Sequence, residues 1–212
     1  MILAVLGAVN GRADLLGRAI SEVEQEGIQC LLQTGNIVGE PGHSAESIAL
    51  LQQHSVQCVC GVSDLELLRF GRKPDSFLRK EPEECARLAR IQAGLRAAQT
   101  EWIRGLPKRR VLELDGLRIL LCYGSPGNPA ELLEMETPLT RFKRQREAFP
   151  AHIIICGGAS ESFSRWVDGT LFVHPGPLAL SPRSIQYSCV NTETEPWSVE
   201  LRTLDALLED SH

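Results

Sequence analysis

Three observations predict an α/β fold. Short apolar runs at residues 2–6, 28–33 and 56–60 each lead into a loop containing glycine, as buried strands of a sheet covered on both faces do. The segments between them, 14–26 and 44–54, carry apolar residues at helical spacing. Further on, Asp115-Gly116 and Asp168-Gly169 each separate two apolar runs, the pattern of tight hairpins.

The first run ends at Gly7, and the loop Gly7-Ala8-Val9-Asn10-Gly11-Arg12 follows. Loops at the carboxyl ends of parallel strands are where α/β proteins place their chemistry, yet this one offers no Asp, His, Cys or Ser. In 14–26, Leu15, Leu16, Ala19, Ile20 and Val23 form one apolar stripe, and Gly27 ends it. The second strand leads into Thr34-Gly35-Asn36-Ile37-Val38-Gly39. Ser44 is read as the N-cap of the second helix. The third strand leads to Gly61-Val62-Ser63-Asp64, completing a parallel, right-handed βαβαβ unit. Residues 65–104 are read as a helical excursion, a polar loop with Pro74 and Pro82 and then one charged helix spaced by Cys85, Leu88, Gln92, Leu95, Ala98 and Trp102. After Pro107 come a hairpin over 111–122, the loop Tyr123-Gly124-Ser125-Pro126-Gly127, a helix over 138–149, and a strand at 153–156 leading to Gly157-Gly158-Ala159-Ser160. A second hairpin over 164–173 closes at His174-Pro175-Gly176-Pro177. Strands at 185–191 and 197–202 and a short helix at 204–209 finish a single domain spanning 1–212.

Twenty-two Lys and Arg against twenty-seven Asp and Glu leave a net charge of −5, which argues against a nucleic-acid surface. The seven cysteines include no CxxC pair and give neither a zinc site nor a disulfide framework. Most fall in strand-like runs, as small hydrophobes do, and a reducing, cytoplasmic compartment is expected. No signal peptide and no run of about 18 apolar residues is present, so neither secretion nor membrane spanning is expected. Gly7-x-x-x-Gly11 departs from the GxGxxG dinucleotide fingerprint, and no acidic residue ends the second strand.

Five glycine loops thus follow strands in a fixed order. Together with 112–121 (Leu-Glu-Leu-Asp-Gly-Leu-Arg-Ile-Leu-Leu), Gly124-Ser125-Pro126, Gly169-Thr170-Leu171-Phe172-Val173 and Pro175-Gly176, they give a sequence that resembles the calcineurin-like metallophosphoesterases, in particular the small bacterial phosphodiesterase branch. The likeness covers nearly the whole chain. It implies a four-layer α/β/β/α sandwich of two mixed sheets flanked by helices, with a two-metal site on the loops at one end. The family's ligands come as Asp-x-His, Gly-Asp, Gly-Asn-His-Asp, a His before Gly, and Gly-His-x-His. On this chain those positions hold Ala8 and Asn10, then Asn36, then Val62 and Ser63, then Tyr123, then Gly158 and Ser160. Only Asp64 matches, at the place of the residue that in the family orients the catalytic His.

Two divalent ions about 3.5–4 Å apart repel by on the order of 20 kcal/mol at an effective dielectric constant of about 20. Carboxylates make such a pair tolerable, and Ala8 and Asn36 remove them. No metal, no cofactor and no catalytic residue is therefore expected. What remains is a relict cleft of Ala8, Asn10, Asn36, Val62, Ser63, Asp64, Tyr123, Gly158, Ser160 and His174. Ser63 is a nucleophile only with a base beside it, and His174 is the one candidate. The reading is a catalytically inactive, phosphoesterase-fold binding or scaffold module. The retromer subunit of the same architecture is its precedent, and a protein partner or self-association is expected. A contact surface is expected on the excursion, at Leu65, Leu67, Leu68, Phe70, Phe77 and Trp102. The alternatives are a phosphodiesterase with a rearranged or single-metal site, and a sensor for a phosphate- or nucleotide-like anion.

Overall fold

The computed structural model describes residues 1–39, 43–75, 82–181 and 184–205. Its first sheet runs β11 (Ser198–Asp205), β10 (Ser184–Asn191), β1 (Ile2–Leu6), β2 (Cys30–Gln33), β3 (Gln57–Cys58), with β9 (Ala179–Ser181) also on β10. The second runs β4 (Arg109–Leu114), β5 (Leu117–Tyr123), β6 (Ile153–Gly157), β8 (Thr170–His174), β7 (Phe163–Val167). Strands β1, β2 and β3 are parallel, as are β5, β6 and β8, and the outer pairings are antiparallel.

Alternation of side chains across the strands builds three apolar layers. Leu3, Val5 and Leu32 meet Ile119, Leu121, Ile153, Ile155 and Val173 between the sheets. On the outer face of the first sheet, α1 (Ala13–Gln25) and α2 (Ser44–Gln53) bury Leu16, Ile20, Ile48 and Leu51. The helices α3 (Val62–Arg72), α4 (Pro82–Ala93) and α5 (Ala97–Gly105) add Leu67, Phe70, Leu88, Ile91 and Ile103 to that layer. On the outer face of the second sheet, α6 (Leu139–Ala148) drives Phe142 against Phe163 and Phe172, edge-on at 6.4 and 5.1 Å. The result is the four-layer α/β/β/α sandwich.

Both Asp-Gly hairpins form, with Asp115, Gly116, Asp168 and Gly169 all at positive φ, as two-residue type I′ turns require. Several boundaries differ from the sequence reading. The segment read as the loop 61–64 already starts α3 at Val62, because the Asp64 carboxylate reaches back to the Gly61 N–H and caps the helix. The single charged helix is two helices: the chain turns after Ala93, and Gln99 accepts the Arg96 N–H at 3.0 Å to start α5. Ser44 is the first residue of α2, with His43 at the cap. Of the expected terminal helix, Leu204 and Asp205 belong to β11, paired with Ile185 and Ser184, and 206–209 lie outside the described residues. The apolar side chains of the excursion cover the sheet: Leu67 and Phe70 are buried, and Leu68 and Trp102 pack on the same core. Phe77 lies outside the described residues. Leu65 is half-buried, so the described apolar side chains of the excursion serve mainly to cover the core.

Candidate functional site

The loops after β1, β2, β3, β5, β6 and β8 meet at one end of the sandwich. Their approach is so close that a β-carbon on Gly7 would collide with the Gly176 carbonyl, and one on Gly61 with the Asn36 N–H. Asn36 is the hub. Its backbone carbonyl accepts the N–H groups of Val9 (3.1 Å) and Asn10 (2.8 Å), its Oδ1 accepts the Ser63 N–H (2.9 Å), and its Nδ2 donates to the Tyr123 hydroxyl (2.8 Å). The Ser63 N–H can only donate, so the Asn36 amide has one orientation and Tyr123 is its acceptor. At φ 56° Asn36 occupies the left-handed region, which asparagine tolerates.

Asp64 is fully buried in the adjoining loop. One oxygen accepts the N–H groups of Ile37 (2.9 Å) and Val38 (3.0 Å), the other that of Gly61 (2.8 Å). Burial pushes its pKa up, against the downward pull of these donors. The carboxylate is spent on backbone, fastening the β2 loop to the start of α3. The Ser63 hydroxyl is likewise spent, donating to the Val38 carbonyl at 3.1 Å.

From the second sheet, Tyr123 fills the middle of the cleft. Burial raises its pKa, and so do Asp64, Glu134 and Glu66, while the bond to Asn36 lowers it. Gly158, at φ 93°, lies under its ring: a β-carbon there would stand 2.9 Å from the Tyr123 Cζ and 2.7 Å from the Leu132 Cδ2. A side chain at this position would have to displace the tips of Tyr123 and Leu132, and at this φ it would be strained in any case. Glu134 closes the rim, accepting both the N–H and the hydroxyl of Ser160 at 3.2 Å. The segment carrying Leu132 and Glu134 is pinned by Glu131, which accepts from Ser125 (2.8 Å) and Gln145 (3.2 Å) and pairs with Arg141 and Arg144. Nothing in the spacing of 126–138 marked it as part of the site.

The structure thus joins Asn36, Ser63, Tyr123 and Gly158, with Asp64 behind them and Val62 half-buried in the first turn of α3. Asn10 stays at the exposed mouth, and Ala8 gives its carbonyl to the Leu178 N–H at 3.2 Å. His174 does not join them. Its ring stacks on Phe163, with centroids 4.4 Å apart and planes 11° apart. Neither ring nitrogen has a hydrogen-bond partner among the described residues, so a Ser63–His174 couple does not exist here.

Residues 1–195 match the calcineurin-like phosphoesterase superfamily domain. The chain belongs to that superfamily. A hypothetical protein from Pyrococcus horikoshii OT3 superposes with a TM-score of 0.80 at 21% identity, over 99% of this chain and 89% of its own. A metallophosphoesterase from Sphaerobacter thermophilus follows, with a TM-score of 0.74 at 16% identity over 97% and 89%. A novel archaeal phosphodiesterase gives a TM-score of 0.58 at 12% identity over 95% and 100%. At these identities the likeness is one of fold. No curated protein matches the chain.

The superfamily implies divalent metal, and the residues at this end do not fit one. Among the described residues no three His, Cys, Asp or Glu side chains are grouped to hold an ion. The chemistry of the positions says why: amide, phenol, hydroxyl and glycine stand where carboxylate and imidazole would be needed. The cysteines do not substitute for them: Cys58 packs in the outer core of the first sheet, and Cys122 and Cys156 in that of the second, as small hydrophobes do. Removing the phenol hydroxyl as Tyr123→Phe is expected to cost about 1 kcal/mol, because the Asn36 amide loses a partly buried partner. Urea unfolding of the two proteins measures it.

Proposed function

We propose that this superfamily member is catalytically inactive and works as a binding or scaffold module. The observation that carries the reading is the Tyr123–Asn36 bond across the cleft, with the tyrosine ring seated on Gly158. The two positions that would hold a metal-binding imidazole and a bridging carboxylate instead close the cleft by bonding each other. The carboxyl groups of Asp64, Glu134 and Glu66 all push the Tyr123 pKa up, and negative charge on this side of the cleft weighs against a phosphate-like anion as the ligand. No helix among the described residues is long and apolar enough to cross a membrane, and all seven cysteines are free, as a reducing cytoplasm keeps them.

Purification with added manganese, metal analysis by mass spectrometry and a chromogenic phosphodiester assay test the reading. Expected are well under one ion per chain and no turnover that a chelator removes. Stoichiometric metal with chelator-sensitive turnover overturns it.

A further inference from the structure

Among the described residues, the first sheet ends on one side in a long strand that has a strand partner on only one flank. Strand β11 spans eight residues, pairs with β10 through its whole length without a register shift, and has β10 as its sole strand partner among the described residues. Edge strands are ordinarily blunted by brevity, charged side chains, Pro or a bulge. The strand at the other end of this sheet, β3, has two residues, whereas β11 is long and has no Pro, and its charges, Glu200, Arg202 and Asp205, are of mixed sign. Its inner-face residues follow from Val199, which packs between the sheets. By alternation Leu201 points the same way, and it is 46% exposed. At the matching edge of the second sheet, Trp166 of β7 is 45% exposed and rests on Trp197, with centroids 5.5 Å apart. The core between the sheets therefore runs out to solvent along this side.

We propose that β11 is a self-pairing edge that joins two copies of this chain into a dimer, antiparallel, on a two-fold axis through Leu201. The sequence of the strand selects both the partner and the register. In a two-fold pairing of a continuous sheet each residue faces one at equal distance on the other side of the axis. An axis through residue 200 sets Glu200 against Glu200, and one through 202 sets Arg202 against Arg202. The axis through Leu201 sets Glu200 against Arg202 twice, Val199 against Thr203 twice and Leu201 against its own copy. Opposite charges directly across strands stabilise, and like charges oppose, the pairing. Glu200 and Arg202 already lie side by side on one face, 3.1 Å apart, so the partner's charges extend an alternating row. Backbone hydrogen bonds supply the generic attraction of strand addition, and Leu201 with Trp166 supplies apolar surface to cover. This dimer does not depend on the reading of the cleft.

Sedimentation of the full chain from about 1 μM to about 1 mM tests it. A concentration-dependent dimer is expected. Glu200→Arg and Arg202→Glu are each expected to weaken it by about tenfold or more, since each turns both cross-strand pairs repulsive. An equimolar mixture of the two variants is expected to form a heterodimer, and the double swap in one chain to restore the homodimer. Circular dichroism of each variant checks that the fold is kept, and Leu201→Lys provides a second disruption without touching Arg202. A monomer throughout the range, a dimer indifferent to these changes, or single variants that the mixture and the swap do not rescue would each overturn the proposal.

Discussion

Asp64→Ala is expected to destabilise the chain by about 3 kcal/mol, a shift of roughly 10 °C in melting temperature for a domain of this size. The carboxylate is fully buried and takes three backbone N–H groups, from Ile37, Val38 and Gly61. Alanine leaves all three buried without an acceptor, at about 1–3 kcal/mol each. Part of that loss is returned, because the wild type must bury the carboxyl group, a cost that also raises its pKa. The two terms set the net estimate below the sum of the three. Asp64→Asn retains one acceptor oxygen and is expected to lose about half as much. Chemical unfolding of the three proteins measures the series. A loss under about 0.5 kcal/mol for alanine would mean that the loops hold without this fastener, and that Asp64 persists for some other reason.

How far the sequence reveals this arrangement depends on the range of each interaction. Strand β1, helix α1 and strand β2 are legible because their signals are local: an apolar run, a 3.6-residue stripe and a terminating glycine. The I′ hairpins are legible for the same reason. Boundaries went astray where one side chain acts on backbone, as Asp64 does on Gly61 and Gln99 on Arg96, or where a partner strand decides. Leu204 fits a helical stripe, but it faces Ile185 across β11 and β10, and ladder hydrogen bonds override so short a propensity.

The site divides in the same way. That the loops converge is readable from their order, and that they lack metal donors is readable from composition. Which polar groups then satisfy each other is not, because the link from Asn36 to Tyr123 spans 87 residues and two sheets. Leu132 and Glu134 complete the closure from a segment without periodicity. His174 illustrates the opposite failure: its place beside the loops suggested a member of the cleft, but strand alternation turns its ring to the outer face with Phe163 and Phe172.

That orphaned ring sets the remaining large effect. Burial pushes the His174 pKa from 6.5 down to about 3, so the folded protein holds it neutral while the unfolded chain takes up a proton below about pH 6.5. Because the unfolded state binds the extra proton, stability rises with pH. The neutral ring's contribution is complete above pH 6.5 and is lost as pH falls toward 3. Between pH 7 and pH 5 the loss amounts to about 2 kcal/mol, a slope approaching 1.4 kcal/mol per pH unit at the acid end. Asp64 acts in the opposite sense: with its pKa raised in the fold, its burial is relieved as pH falls through that value. The readout must therefore be a difference between proteins that share Asp64 and every other carboxylate. His174→Leu removes two buried nitrogens that have no hydrogen-bond partner among the described residues and keeps an apolar side chain against Phe163. At pH 7 the variant is expected to match or exceed the wild type, and its advantage is expected to grow by about 2 kcal/mol on going to pH 5. Parallel stability curves for the two proteins across that interval would show instead that the ring takes up its proton without leaving the fold, which would require an acceptor beside Phe163 that this packing does not provide.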